Sequence, residues 1–190
     1  ATSGSNDLLS LLMAATDEES PTGQPSMNDR QLRDEAMTIF VAGHETTANA
    51  LAWTLILLAQ NPSAQAKVRA ELTQHATSES AFENVQSLSY LSRVIDESLR
   101  IYPPAWIVSR QPTTPMTLGG ANISTSDIIL ISPWVMHRDP NVWEEPAKFD
   151  PDRILPQRVS ERHKYAYIPF SSAPRQCIGT VFAKTELSIV

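Results

Sequence analysis

The sequence predicts a mainly α-helical fold with a small β-sheet. Three observations carry this prediction: a long apolar helical pattern over residues 28–60, a helical segment over 91–102, and short β-branched segments over 105–132. With 190 residues, 42% of them hydrophobic, the chain can bury one hydrophobic core. We therefore expect a single domain over residues 1–190.

The composition argues against several classes of protein. A net charge of −6 disfavours a nucleic-acid partner. The single cysteine cannot form an internal disulfide, which excludes a small secreted scaffold held by disulfides. No apolar run reaches the roughly 18 residues that a membrane span needs. The first residues, ATSGSND, lack the basic region of a secretion signal.

The first part of the chain is predicted to be helical. Residues 7–18 have the apolar spacing of a short helix with Asp7 as its cap. The long helix over 28–60 begins at a capping residue, Asn28 or Asp29. Because its surface is apolar nearly all round, we expect this helix to run through the middle of a larger protein.

Prolines punctuate the rest of the chain. Pro62 ends the long helix and suits the first turn of the next one. Pro103 and Pro104 stop the helix over 91–102. The sequence TLGG predicts a turn, and DIILIS predicts a strand.

The last quarter of the chain shows little periodicity before a final helical pattern. Residues 133–176 contain many prolines, and a long irregular segment of this kind inside a domain is usually functional. Residues 177–190 have the apolar spacing of a helix.

Common catalytic constellations are incomplete in this sequence. His44-Glu45 begins like the zinc-protease pattern H-E-x-x-H, but Ala48 stands where the second histidine is needed. The four histidines are scattered and, with one cysteine, give no metal-ligand spacing. A hydrolase that uses Cys177 as its nucleophile stays open, because a distant histidine could fold against it.

Three local features remain, and AGHETT over 42–47 is the first. A glycine inside a helix costs about 1 kcal/mol relative to alanine, so Gly43 suggests the close approach of a ligand or another backbone. Glu45 and Thr46 add an acid and a hydroxyl, and a helical threonine can bond back to a carbonyl and open a polar groove. Taken alone, these residues are better explained by an ordinary surface turn with a solvated glutamate.

The second feature is ESLR, which places Glu97 and Arg100 on one helical face. An exposed pair of this kind contributes only about 0.2–0.5 kcal/mol. The apolar residues and prolines that follow suggest instead that this helix end meets the core. A buried pair needs further partners to offset desolvation, and FDPDR offers Arg153.

The third feature is FSSAPRQCIG, which contains Cys177. Most lone cysteines are buried structural residues. Here Arg175 lies two positions away, and the loop leads directly into a helix. Nearby cations and the N–H groups of a helix N-terminus stabilise a thiolate, which a metal ligand or a nucleophile requires.

Together and in this order, these motifs resemble those of the cytochrome P-450 superfamily of haem-thiolate monooxygenases. AGHETT is similar to the distal helix motif A/G-G-x-D/E-T-T, and ESLR is similar to the E-x-x-R helix. FDPDRI resembles the segment that supplies the second arginine of a Glu-Arg-Arg triad. FSSAPRQCIG resembles the haem-binding signature F-x-x-G-x-R-x-C-x-G. The resemblance covers essentially all 190 residues but only the C-terminal half of a typical family member.

The resemblance implies a haem b cofactor with Cys177 as the thiolate ligand of its iron. It implies that Thr46 and Glu45 are catalytic and deliver protons during oxygen activation. It also implies a structural triad of Glu97, Arg100 and Arg153. The remaining residues implied to contact haem are Ala42, Gly43, Arg110, Phe170, Arg175 and Gly179.

The resemblance also implies the partners of the protein. These are dioxygen, a small lipophilic substrate, and a redox partner such as a ferredoxin, a flavodoxin or a reductase, since the sequence has no flavin or nicotinamide fingerprint. Lys164, Arg175 and Lys184 are basic residues near the cysteine that could dock an acidic redox partner. We expect a monomeric, soluble, bacterial-type protein in the cytoplasm, with an N-terminal anchor left open.

Two positions depart from the family pattern. Ala173 stands where the signature usually has glycine, which permits a positive φ, so we expect modest strain in the loop. Ile154 replaces an aromatic residue after the second arginine. Neither change removes a reacting group. A truncated piece that binds no haem remains a non-catalytic alternative.

Overall fold

The computed structural model describes residues 7–16, 26–75, 85 and 87–190. The chain divides into two compact units, residues 1–45 and 46–190. The assignment of the whole chain to one partial domain therefore stays a prediction. The helices are α1 (Leu8–Ala14), α2 (Asp29–Gln60), α3 (Pro62–His75), α4 (Ser89–Ile101), α5 (Pro133–Met136), α6 (Pro156–Ser160) and α7 (Thr180–Ile189). The strands are β1 (Val108–Arg110), β2 (Met116–Leu118), β3 (Ala121–Ile123) and β4 (Ile129–Ile131).

The helix starts agree with the capping residues in the sequence. Asp7 accepts a hydrogen bond from the Ser10 N–H at 2.8 Å and caps α1, which ends at Ala14. The last residues of the predicted 7–18 helix, 17 and 18, lie outside the described residues. At α2, Asn28 and Gln31 each accept the other's backbone N–H at 3.0 Å. This reciprocal capping box fixes the start of the long helix.

Within the unit of residues 46–190, α2 buries one stripe of side chains, namely Thr47, Ala50, Thr54 and Leu57. Much of its remaining apolar surface is exposed, including the side chains of Trp53, Leu55 and Ile56. The helix ends at Gln60, and Pro62 occupies the first position of α3 as predicted.

A carboxylate from α3 caps α4. The Glu71 side chain accepts hydrogen bonds from the Tyr90 N–H at 2.7 Å and the Leu91 N–H at 2.9 Å. An anion at a helix N-terminus offsets the partial positive charge there, so Glu71 fixes the start of α4.

The core of the 46–190 unit surrounds α4. From Val94 to Ile101 every residue of this helix is buried. The buried apolar cluster is formed by Ala50, Val68, Leu88, Leu91, Val94, Ile95, Leu99 and Leu187. Since α2, α3 and α7 each contribute to this cluster, α4 is the element against which the others are positioned.

The predicted small sheet is formed as two separate antiparallel pairs. β1 pairs with β4, with Val108 opposite Ile131, and β2 pairs with β3. The turn between β2 and β3 is Gly119-Gly120, whose φ values of 57° and 83° fit a tight two-residue hairpin. The predicted TLGG turn lies at this position.

Residues 133–176 are largely irregular, as the prolines suggest. Short helical turns interrupt them at α5, at α6, and at two 3₁₀ turns, Pro151–Ile154 and Ala173–Arg175. The final helix, α7, begins at Thr180 rather than at residue 177, since Cys177 to Gly179 still belong to the preceding loop. In the part of the chain that the structure describes, none of the helices has the length and apolarity to span a membrane.

Candidate functional site

Glu97 and Arg100 form a bidentate ion pair inside the protein, and neither residue is exposed. Arg100 Nε and Nη2 donate to the two Glu97 carboxylate oxygens, each at 2.8 Å. Arg100 Nη1 donates to the carbonyl oxygens of His137 and Pro146 at 2.7 and 2.8 Å, and Nη2 also donates to the Lys148 carbonyl at 3.2 Å. All five guanidinium N–H groups therefore have an acceptor.

Arg153 completes a three-residue charge network. Its Nε lies 3.5 Å from Glu97 Oε1, and its two terminal nitrogens donate to the Glu144 and Glu145 carbonyl oxygens. The Asp150 N–H donates to Glu97 Oε1 at 3.0 Å. The structure thus brings together the three residues that the sequence singled out as a triad, and it adds backbone partners for all three side chains. Among the described residues, Arg153 Nε itself has no hydrogen-bond acceptor.

The charge of Glu97 depends on these partners. Burial raises the pKa of the Glu97 carboxyl group above its ordinary value, while Arg100, the Asp150 N–H and Arg153 act in the opposite direction. A buried carboxylate without such partners would carry a large desolvation cost. The network is therefore a unit whose members depend on one another.

His137 connects this network to the cysteine segment, and no local sequence pattern indicates this role. The ring is fully buried. Nε2 accepts the Ile168 N–H at 2.9 Å, so Nδ1 carries the proton and donates to the Arg100 carbonyl at 3.2 Å. Burial lowers the pKa of His137 to about 4, and the nearby Arg100 and Arg138 charges add to this effect. The histidine is therefore neutral at neutral pH.

Cys177 lies in a loop whose backbone is fixed at both ends. The Cys177 N–H donates to the Phe170 carbonyl at 2.9 Å, and Thr180 Oγ1 donates to the Cys177 carbonyl at 2.8 Å. Phe170 is half-buried and packs against the core cluster. The Cys177 thiol is free and exposed. Cys177 is therefore not a buried structural thiol, which is the usual role of a lone cysteine.

The loop contains backbone strain at the position where the sequence suggested it. Ala173 has a φ of 59°, in the left-handed region that favours glycine. Ser171 also has a positive φ, 61°, which the sequence did not indicate. Neither residue is a glycine, so the loop is held in this shape by its surroundings.

One of the two arginine candidates reaches this loop from the sheet. Arg110, at the end of β1, places Nη2 3.5 Å from Ser171 Oγ. Arg175 lies within the loop and is exposed. Of the basic residues considered for partner docking, Lys184 forms an ion pair with Asp96 at 2.6 Å, and the Lys164 Nζ lies 4.8 Å from the centre of the Tyr165 ring.

The AGHETT residues occupy consecutive positions in the uninterrupted α2 helix. Ala42, Glu45 and Thr46 are exposed, and Gly43 is half-buried. A Cβ added at Gly43 would meet no described atom within 4 Å. The boundary between the two compact units falls between Glu45 and Thr46.

In the described part of the chain, no histidine lies where it could act as the base of a cysteine hydrolase. No histidine there is hydrogen-bonded to the Cys177 thiol. His137 is occupied by backbone groups at both nitrogens and is fully buried. A nucleophilic cysteine needs a base within hydrogen-bond reach.

Comparison with known proteins decides the family. A sequence model described as "Cytochrome P450" matches residues 1–190, the entire chain. The chain belongs to the cytochrome P-450 family. The resemblance noted on four motifs therefore extends over the whole sequence.

Three relatives of this P-450 chain come from Streptomyces. The cyclooctatin synthase of Streptomyces melanosporofaciens is 43% identical over 184 residues, which cover 96% of this chain and 39% of that protein. The cyclooctat-9-en-7-ol 5-monooxygenase of the same organism is 37% identical, with 97% and 40% covered. The pentalenene oxygenase of Streptomyces avermitilis is 34% identical, with 97% and 40% covered. The chain thus spans about two fifths of the length of these relatives.

A solved structure confirms the predicted P-450 fold. The crystal structure of the cytochrome P450DA heme domain superposes with a TM-score of 0.90 at 33% identity. The match covers 98% of this chain and 41% of that one. The mainly helical fold with small sheets is therefore a portion of the P-450 fold.

The family implies haem, and the residues at the Cys177 loop fit that group. An exposed, free thiol is a suitable soft ligand for iron, and Arg110 and Arg175 carry guanidinium groups suited to carboxylates. Ile178, the next residue in the chain, is apolar and 92% exposed. A Cβ added at Gly179 would lie 3.8 Å from Cys177 Sγ, so the glycine keeps one side of the sulfur clear.

Proposed function

We propose that the protein containing this chain is a haem-thiolate monooxygenase that uses dioxygen to oxidise a lipophilic organic substrate. The observation that carries the proposal is the free, exposed Cys177 thiol, held in a loop that is tied to a buried charge network in a P-450 chain. Relatives named for cyclooctat-9-en-7-ol and pentalenene support a lipophilic substrate. Trp106 is exposed beyond the end of α4 and is a candidate apolar contact.

Haem b, when bound, supplies the redox chemistry that activates dioxygen. Cys177 Sγ would bind the iron as thiolate, with Phe170 packing beside the loop. The guanidinium groups of Arg110 and Arg175 would pair with the haem carboxylates. Gly179 would leave room next to the sulfur.

Residues on α2 would handle the protons that the reaction consumes. Glu45 is exposed and can exchange protons with solvent. Its neighbour in the helix, Thr46, would pass a proton on through Oγ1. Because Ala42 has a small side chain and Gly43 has none, haem could approach this part of α2 closely.

Glu97, Arg100 and Arg153 would have a structural role. Their hydrogen bonds hold the backbone at residues 137, 144–146, 148 and 150, which belong to the irregular segment before the cysteine loop. The electrons would come from a separate ferredoxin, flavodoxin or reductase. Lys164, which is exposed, is the candidate docking residue, since Arg175 is assigned to the haem carboxylates.

Oxygen transfer from isotope-labelled dioxygen tests this function. The haem-loaded protein, supplied with a ferredoxin and its reductase, is incubated with pentalenene and a panel of other lipophilic compounds. The proposal predicts one labelled oxygen atom in a product. Bound haem with no labelled product from any of the compounds would contradict it.

Thr46→Val is the informative variant, because it replaces the hydroxyl with a methyl group of similar size. We expect a loss of about a hundredfold in product per dioxygen consumed, the lower end of the range that general acid catalysis contributes. The matched control is Thr38→Val, an exposed threonine on the same helix whose hydroxyl donates to the Asp34 carbonyl. This control should leave the amount of product per dioxygen consumed unchanged.

A further inference from the structure

Tyr167 and Lys184, which lie on opposite sides of Cys177 in the sequence, both bind the carboxylate of Asp96. Tyr167 lies ten positions before the cysteine and Lys184 seven positions after it. The Tyr167 hydroxyl donates to the Asp96 carbonyl at 2.8 Å and to Asp96 Oδ1 at 3.1 Å. Lys184 Nζ lies 2.6 Å from the same Oδ1 atom.

Asp96 is well placed to act as a fixed point. It lies in the buried part of α4, directly before Glu97, and its side chain is only 12% exposed. Burial, reinforced by the Asp96 carboxylate, raises the pKa of Tyr167 well above its ordinary value. The phenol therefore stays protonated and remains a donor to Asp96.

The helix after the cysteine has few other attachments. Leu187 is the one buried residue of α7, which the structure describes in full. Lys184 precedes it by three positions and so lies on the same helical face. Val181 and Phe182, closer to the cysteine, are 78% and 71% exposed. Apart from the burial of Leu187, the ion pair between Lys184 and Asp96 is thus the main contact that holds α7 against α4.

The segment before the cysteine is tied in a comparable way. Tyr167 binds Asp96, and the next residue, Ile168, donates its N–H to His137. Phe170 then accepts the Cys177 N–H. The chain thus enters the loop after Tyr167, which binds Asp96 of α4, and leaves it toward Lys184, which binds the same residue.

We propose that Asp96 is a positioning residue that sets the placement of the Cys177 thiol by holding Tyr167 and Lys184, on both sides of the loop, against α4. The link to catalysis rests on the proposed function of Cys177 as the haem ligand. The Asp96–Tyr167–Lys184 group, here called the Asp96 clamp, is distinct from the Glu97 network, because neither Tyr167 nor Lys184 is hydrogen-bonded to that network.

Residue-resolved amide hydrogen exchange tests the clamp without haem. In Asp96→Asn, we expect the Cys177 amide to exchange about tenfold faster, equivalent to about 1.4 kcal/mol of local opening. The Ile168 amide should be accelerated less, because Tyr167 keeps its hydrogen bond to the Asp96 backbone carbonyl. Tyr167→Phe should act mainly on Ile168, and Lys184→Met mainly on Cys177. Adding Lys184→Met to Asp96→Asn should have no further effect, and Lys184→Arg should retain slow exchange.

The controls remove the same chemical groups outside the clamp. Tyr165→Phe and Lys164→Met change an exposed tyrosine and an exposed lysine of the same segment and should leave both amides unchanged. The amide of Val68 in α3 reports on global unfolding. An equal acceleration of Val68, Ile168 and Cys177 in Asp96→Asn would overturn the proposal, as would an unchanged rate at Cys177.

The haem-loaded protein supplies a second readout that a purely structural role would not change. After reduction under carbon monoxide, Asp96→Asn should lose part of the red-shifted Soret band of thiolate-ligated haem, whereas Lys164→Met should retain it. If the unsubstituted protein lacks this band, the proposed function fails and the exchange rates alone decide whether Asp96 fixes the loop. A full band in Asp96→Asn would show that the clamp does not position the thiolate.

Discussion

Ala173 adopts a φ of 59° in the loop before Cys177, a conformation that suits glycine. A left-handed conformation costs a non-glycine residue about 1–2 kcal/mol. Glycine would relieve this strain but would also make the unfolded chain more flexible, which costs about 0.4–1 kcal/mol. We therefore expect Ala173→Gly to raise the free energy of unfolding by about 0.5–1 kcal/mol in denaturant titration.

The matched control for Ala173 is an alanine with ordinary helical geometry. Ala183→Gly in α7 should lower the free energy of unfolding by about 1 kcal/mol, the usual cost of glycine in a helix. Opposite signs for the two substitutions would show that the loop is strained. A loss of stability in both would show that Ala173 is unstrained.

Arg100 is the residue on which the buried charge network depends most. Lysine keeps the charge but has three donors instead of five and lacks the planar fork. Arg100→Lys would leave at least two of the five buried acceptors without a donor, so we expect a loss of more than about 2 kcal/mol in unfolding free energy. Arg158→Lys, at an ion pair with a 54% exposed arginine, should cost less than about 1 kcal/mol. Similar losses in the two variants would contradict the role assigned to Arg100.

At the scale of elements, His137 joins the end of α4 to the segment that precedes the cysteine loop. Its folded-state pKa of about 4 lies below the ordinary value of 6.5. Stability from this residue is therefore fully present above pH 6.5 and is lost as the pH falls towards 4, by up to about 3 kcal/mol. Protonation would turn Nε2 into a donor facing the Ile168 N–H, which removes a hydrogen bond.

The pH dependence of unfolding measures this contribution. Between pH 6.5 and 5, we expect the unfolding free energy to fall more steeply for the unsubstituted protein than for His137→Asn, since carboxylates titrate mainly below this range. His163→Asn, at an exposed histidine, should keep the steep slope. Equal slopes for the protein and His137→Asn would mean that His137 is not buried in its neutral form.

Elements specified by neighbouring residues could be predicted from the sequence. The Asn28 cap, the Pro62 start of α3 and the Gly119-Gly120 turn each depend on contacts within a few positions. Glu97 and Arg100 are three positions apart on a helix, so their pairing was also predictable. The longer helices follow from apolar spacing, which is a local property, whereas the short helices α5 and α6 were not predicted.

Contacts between residues far apart in the sequence could not be predicted from local patterns. The carbonyl partners of Arg100 lie 37 to 48 positions away, and the Asp96 partner Tyr167 lies 71 positions away. His137 carries no local signal of its role, because both of its partners come from other elements. The Glu71 cap of α4 joins residues about 20 positions apart across a connection. Such contacts depend on how the elements pack.

At the scale of the molecule, this chain matches the cytochrome P-450 family over its full length and spans about two fifths of its relatives. The Cys177 loop, the Glu97 network and the core around α4 all lie within the unit of residues 46–190. This unit thus holds the proposed iron ligand together with the residues that fix its backbone.

The absorbance spectrum of the reduced, haem-loaded protein under carbon monoxide tests whether Cys177 binds the haem iron. We expect the red-shifted Soret band of thiolate-ligated haem for the unsubstituted protein and its loss in Cys177→Ser, while haem binding near Arg110 and Arg175 persists in part. A protein that binds haem without this band, or a Cys177→Ser variant that keeps it, would contradict the assignment of Cys177 as the iron ligand.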